Sequence, residues 1–252
     1  MKLSARLQLI ADLLPENCRF ADIGSDHALL PVAAVLSGRA SFAVAGEVND
    51  GPLEAARRQV TDAGESQRIS VRKGDGLAVI APGEVDTITI AGMGGALIVS
   101  ILSSGQEKLA GVRRLVLQPN VGEEFVRRWL VENGWFLMEE AILEEDGKIY
   151  EVLMAEPASD ASALNEQLYM PRSLPGGAWL TNELLYLMGP RLTKDPDHVF
   201  YKKWESEIRK IDKIRQSVAS SVQEASREKE LELTRLSDQL KEVLVCLRKV
   251  KP

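Results

Sequence analysis

Four carboxylates occur in three short turns: Ala21-Asp22-Ile23-Gly24-Ser25-Asp26-His27, Gly46-Glu47-Val48-Asn49 and Gly74-Asp75-Gly76. Each turn closes a short run of β-branched and small apolar residues. Gly24 lets the backbone approach a ligand, and the carboxyl end of a central strand is where doubly wound folds bind one. A pyrophosphate binder is disfavoured, because Gly24 is the only glycine between Ile23 and Gly38 and the pattern GxGxxG is absent. The carboxylates would also repel phosphate. They suit a ligand carrying a sulfonium and an ammonium group, and S-adenosylmethionine (SAM) has both.

Glu47 follows Asp22 by 25 positions, a spacing at which a strand-end acid accepts hydrogen bonds from both ribose hydroxyls. Nicotinamide dinucleotide binders share this feature, and a lone strand-end Glu is often only a solvated charge. Asp75 can accept an adenine amino group, although Gly-Asp-Gly is also an ordinary turn. Ala91-Gly92-Met93-Gly94-Gly95 opens an apolar helix, whose first N–H groups are free to hold a carboxylate. The same glycines could serve only close helix–strand packing. Gln118-Pro119-Asn120 offers amides able to orient a nucleobase. His27 follows Asp26 and could position a substrate. No Ser or Cys nucleophile accompanies it, so a hydrolase triad gains no support. His198 is read as structural or superficial.

The elements that must position these groups alternate between strand and helix. Strands are expected at 19–24, 41–48, 69–73, 86–92 and 113–119, with helices between them, including Leu53 to Ala63 and Val121 to Asn133. Residues 135–145 and 148–156 flank Asp146-Gly147 as a hairpin. The expected fold is therefore α/β, five parallel strands plus an antiparallel hairpin. That is the sheet of many class I, Rossmann-like SAM-dependent methyltransferases, and as a fold it does not fix the function.

Residues 157–177, rich in Ala, Ser, Pro and Gly, are expected to link a first domain, 1–156, to a second, 178–252. Beyond the linker, Leu233, Leu236, Leu240, Val243, Leu247 and Val250 follow coiled-coil spacing. Trp204, Ile208, Ile211, Val218 and Val222 keep a similar pattern, with Arg215 interrupting. Reversal within Ala219 to Glu228 predicts an antiparallel helical hairpin.

Composition bounds the rest. The 252 residues are 45% hydrophobic and 27% charged, as in an ordinary globular chain. The net charge is −6, yet residues 200–252 carry 13 Lys/Arg against 9 Asp/Glu, a cationic segment behind an acidic body. Cys18 and Cys246 lack metal-ligand spacing, so no metal is expected and a reducing, cytoplasmic setting is. No secretion signal is expected at the N-terminus. The uncharged run Thr87 to Gln106 contains four glycines and changes period midway, which argues against a membrane span.

In combination and order, ADIGSDHALLP (21–31), AGEVNDGP (45–52), VRKGDGL (71–77), ITIAGMGG (88–95), LVLQPN (115–120) and ILEEDGKIYEVL (142–153) resemble the bacterial tRNA (adenine-22-N1) methyltransferase family, the TrmK type. The resemblance covers nearly all of residues 1–156. It implies a class I domain followed by a small coiled-coil domain, and SAM bound along Asp22, Gly24, Glu47, Asp75, Gly76 and Met93. Ser25, Val48, Asn49, Ala91 and Gly92, in the same turns, are expected to contact the cofactor as well. It further implies methyl transfer to N1 of adenine 22 in tRNA. Asp26 is expected to supply negative potential, with His27 and Asn120 orienting the base. The basic helices are expected to hold the tRNA backbone. One departure is Leu29, where the family leads one to expect Tyr. Another RNA, a protein or a small molecule remains possible as acceptor. A nicotinamide-dependent oxidoreductase would share Glu47 but lacks the phosphate-binding glycines, and a scaffold built on the coiled coil would bind neither ligand.

Overall fold

The computed structural model describes residues 3–219 and 224–249. The chain divides into two compact units, one through Glu166 and one from Gln167. In the first, α1 (Ala5–Asp12) is followed by β1 (Cys18–Ile23), α2 (Leu29–Leu36), β2 (Ala40–Glu47), α3 (Asp50–Asp62) and β3 (Ile69–Lys73). Then come β4 (Thr87–Gly94), α4 (Gly95–Ser104), β5 (Arg114–Val121), α5 (Glu123–Glu132), β6 (Trp135–Glu145), β7 (Lys148–Pro157) and α6 (Ala161–Leu168).

The sheet order is β3-β2-β1-β4-β5-β7-β6. The first five strands pair in parallel, while β7 is antiparallel to both β5 and β6. Phe20, Ala43, Val44, Ile88, Ile90, Leu115, Val116 and Leu117 are fully buried, as expected of parallel strands covered on both faces. Because β1 lies between β2 and β4, the chain order reverses there, and it is beside the carboxyl ends of such strands that doubly wound sheets bind ligands. The hairpin turns at Asp146 and Gly147, both at positive φ as a tight two-residue turn requires.

Several boundaries differ from the sequence expectation: α3 starts at Asp50, ahead of Leu53, and the larger changes lie around β4 and β5. β4 runs through Gly94 instead of stopping at Gly92, with register shifts around Met93, where it pairs with Pro119 and Val121. Gly92, at φ +77°, accommodates the bulge. Val121 consequently belongs to β5. α5 starts only at Glu123, after Gly122 has turned the chain at φ +74°. Behind α5, the Arg127 side chain is fully buried, with Nε 2.6 Å from Glu140 Oε1 and Nη2 donating to Glu151. These ion pairs join the helix to both strands of the hairpin.

The stretch expected as a linker is partly structured. Residues 161–168 form α6, where Ala161 is buried and buried Asn165 donates to Trp135 O at 2.9 Å. Those contacts supply the order that composition did not reveal. In the second unit, β8 (Arg172–Ser173) pairs with β9 (Trp179–Leu180) and precedes α7 (Asn182–Met188), capped by Thr181. A Cβ on Gly176 would lie 2.9 Å from Cys246 Sγ, so this segment packs within the unit.

Two long helices follow, α8 (His198–Ala219) and α9 (Glu224–Arg248). They are antiparallel: Asp212 meets Ser237 and Lys241, while Glu205 meets Arg248. Trp204, Ile208, Leu240, Val243 and Leu247 of the expected seam are buried, and Leu233, Leu236 and Ile211 are half-buried. Val222 and Val250 lie outside the described residues, as does part of the expected reversal. Residues 224–228 of that reversal are already helical.

Candidate active site at the strand ends

The turn after β1 is built around Asp22. It is 5% exposed, and its two carboxylate oxygens accept from Thr89 Oγ and Ser25 Oγ, each at 2.6 Å. Burial raises its pKa, while the two hydroxyls oppose the rise. Asp22 thus ties the turn to β4 from beneath, and Ser25 is buried with it. Gly24, at φ +70°, is followed by Asp26, His27 and Ala28 at φ 39°, 66° and 55°. Consecutive left-handed non-glycine residues are costly and persist only where surrounding contacts impose them. One such contact is Asp26 N–H, which donates to Glu47 Oε1 at 2.6 Å.

Glu47 ends β2 and is 6% exposed. Gly74 N–H donates to its carbonyl at 2.9 Å, which brings the β3 turn alongside. Asp75 there is exposed, and its carbonyl accepts from Ala78 N–H as a short turn begins at Gly76. Val48 and Asn49 are exposed, and Asn49 precedes α3 without a side-chain capping bond.

On the other side of β1, a Cβ on Gly24 would come within 2.3 Å of Met93 Cε. The Gly24 backbone and the Met93 side chain are therefore neighbours. Gly92 N–H donates to Gln118 Oε1 at 3.1 Å, and Asn120 Nδ2 donates to Gly92 O at 2.8 Å. Ala91 and Met93 are half-buried. At Gly95 packing governs the residue choice, since a Cβ there would stand 2.0 Å from Gly122 O. Asp26 and His27 are open to solvent, with side chains 83% and 57% exposed and Oδ1 3.5 Å from Nε2.

The structure thus brings together Gly24–Asp26, Glu47 and Gly74–Asp75, with the Met93 side chain beside Gly24 and the Asn120 amide bonded to Gly92 O. No group of three or more potential metal ligands occurs among the described residues. Sequence reasoning missed Arg6, whose Nη1 donates to Gln118 Oε1 at 2.6 Å. Nothing local signals this contact, because the partners are 112 positions apart.

Acidic, glycine-bearing turns at the switch point of this sheet are the arrangement of a Rossmann-like, SAM-dependent methyltransferase. The family model for tRNA (adenine(22)-N(1))-methyltransferase matches residues 20–244. The tRNA (adenine(22)-N(1))-methyltransferase of Bacillus subtilis is 47% identical over 245 residues, covering 97% of this chain and 98% of the relative. The chain belongs to that family. The crystal structure of the B. subtilis m1A22 enzyme superposes with a TM-score of 0.85 at 46% identity, covering 96% of this chain and 98% of that one. A Streptococcus pneumoniae structure in complex with S-adenosyl-L-methionine gives 0.80 at 36% identity, covering 96% and 100%.

Proposed function

We propose that the ends of β1 to β4 hold SAM through Gly24, Glu47, Asp75, Gly76 and Met93, while Asp26, His27 and Asn120 face the acceptor. In this reading the enzyme methylates N1 of adenine 22 in tRNA. The observation that carries it is the match of nearly the whole chain, sheet unit and helical unit together, to the tRNA (adenine(22)-N(1))-methyltransferases.

The residues fit the cofactor. Glu47 carries a buried carboxylate at the strand tip where ribose hydroxyls are read, Gly24 lets the Met93 side chain lie against the backbone of the turn, and the surrounding acids complement a cation. When bound, SAM supplies an electrophilic methyl group on a sulfonium. Adenine N1 is a neutral nucleophile, so no protein base is needed to activate it. The acceptor side must align the base and accommodate the positive charge the product ring acquires. Asp26 supplies negative potential there, and its effect strengthens when bound tRNA excludes water from this exposed side chain. Asn120 and His27 hold the base in line. Since N1 is a pairing edge, the adenine must leave its stack, at a cost of about a few kcal/mol.

The helical unit offsets that cost by holding tRNA phosphates. Support comes from its cationic balance and from Lys202, Arg209 and Lys213, exposed side chains that share one face of α8 by helical spacing. The test is incubation of unmodified tRNA with the enzyme and SAM, followed by digestion and mass spectrometry. One methyl group on N1 of adenine 22 is expected, also visible as a reverse-transcription stop. Methylation at another atom or position, or none, overturns the reading.

A further inference from the structure

We infer that Arg6, on the N-terminal helix, is a positioning residue for methyl transfer: by clamping Gln118 it holds in place the side chain that steadies the Asn120 amide. This rests on the reading of Asn120 as an acceptor-side group and adds a residue that steadies it. The argument turns on what each group is able to donate.

Gln118 is fully buried, and its Oε1 receives Arg6 Nη1 at 2.6 Å and Gly92 N–H at 3.1 Å. Both of these groups only donate, so the amide oxygen must face them. Nε2 is thereby turned toward Pro119 O at 2.9 Å and Asn120 Oδ1 at 3.1 Å. With its oxygen held, Asn120 has only one orientation left, in which Nδ2 donates to Gly92 O at 2.8 Å. Three residues close a ring of hydrogen bonds on the bulge of β4; Gly92 N–H and Gly92 O set its sense, and Arg6, from outside the ring, is the second donor that clamps the Gln118 side chain in it. A fixed amide distinguishes purines, because adenine donates from its 6-amino group where guanine accepts.

Arg6 is itself held from two directions. Its guanidinium lies over the Tyr150 ring, 5.3 Å from the centroid, and its backbone N–H donates to Glu145 Oε2 at 3.3 Å. Ala5 N–H donates to the same carboxylate, and Ser4 caps the helix through Leu7 N–H at 3.2 Å. The far end of the β6–β7 hairpin therefore grips α1 and aims Arg6 at the ends of β4 and β5. Its charge also reaches Asp22, where it favours the ionised form.

The test compares Arg6→Gln, Arg6→Lys, Gln118→Glu and Asn120→Ala in the full-length enzyme, with kcat and KM for tRNA and calorimetric SAM affinity measured for each. Gln118→Glu keeps an acceptor for Arg6 but removes the donor to Asn120. It interrupts the same relay with Arg6 in place, so a folding defect in one variant leaves the other to decide. Arg6→Gln and Gln118→Glu are each expected to lower kcat by about tenfold to a hundredfold, with SAM affinity unchanged. The double variant should be no slower than the slower single one, and Arg6→Lys should recover part of the loss. Wild-type kcat in Arg6→Gln, with Asn120→Ala impaired, overturns the inference alone, whatever Gln118→Glu does. Wild-type kcat in Asn120→Ala overturns the assignment of Asn120, and the inference with it.

Discussion

Replacing Glu47 by Gln tests the cofactor side with a change of a single atom type. The side chain is buried at the tip of β2, where Asp26 N–H donates to Oε1 at 2.6 Å. The amide oxygen of Gln preserves that bond, so the turn should keep its shape. The second oxygen becomes an NH2 group, and the negative charge is lost. A hydrogen bond to a charged acceptor is worth about 1.5–3 kcal/mol. At about 1.4 kcal/mol per tenfold, the dissociation constant for SAM should rise by about tenfold to a hundredfold. The ribose is remote from the reacting methyl, so the bond contributes equally to ground and transition states. Turnover at saturating SAM should therefore stay near wild type while KM for SAM rises. Isothermal titration calorimetry with SAM and its demethylated product measures the first quantity, and initial rates measure the second. A dissociation constant within twofold of wild type, in a variant with unchanged circular dichroism, would refute the placement of the ribose on Glu47.

Two further outcomes follow from the same structure. Arg72 pairs bidentately with Glu84 and holds its carboxyl at about 2, well below the ordinary 4.5. A depressed carboxylate stabilises the fold above its unfolded pKa, and the contribution disappears as pH falls from about 5 toward 2. With Arg72 and Glu84 side chains 32% and 19% exposed, about 1–2 kcal/mol remains after solvent screening. Urea unfolding should separate wild type from Glu84→Gln at pH 7 and not near pH 2; a gap that persists at low pH would contradict this. The double variant Arg209→Glu, Lys213→Glu should weaken tRNA binding and flatten the dependence of log affinity on log salt by about one unit for each phosphate no longer neutralised. An unaltered slope would remove α8 from the tRNA interface.

Much of the sheet was legible because its code is local. Runs such as ISVRK at 69–73 carry their own strand signal, and Asp146-Gly147 carries its own turn. The acids could be placed at strand tips for the same reason. What they face there could not be read, because that depends on contacts between distant segments. Asp22 resembles a ligand-facing acid in sequence, yet Thr89 Oγ, 67 positions away, draws it beneath the turn. α6 was hidden in an Ala- and Ser-rich stretch because its order comes from Asn165 reaching Trp135 O. Arg6 in sequence only interrupts apolar positions. Its significance exists once α1 is docked on the hairpin and pointed at Gln118.

The hydroxyl-bonded burial of Asp22 also bears on how this site accommodates a moving charge. Methyl transfer carries a positive charge from sulfur to the adenine ring without creating any, so the protein gains most from groups that need not rearrange during the step. Asp26, His27 and Ala28 stand in left-handed conformations that cost roughly 1–2 kcal/mol per residue when a Cβ is present. That strain is held by contacts before and within the turn: Thr89 and Ser25 on Asp22, and Glu47 on Asp26 N–H. In the proposed reading Glu47 joins two roles, since the carboxylate assigned to the ribose also fixes the backbone of Asp26. On that reading one short hydrogen bond joins the cofactor side to the acceptor side, through the strained turn.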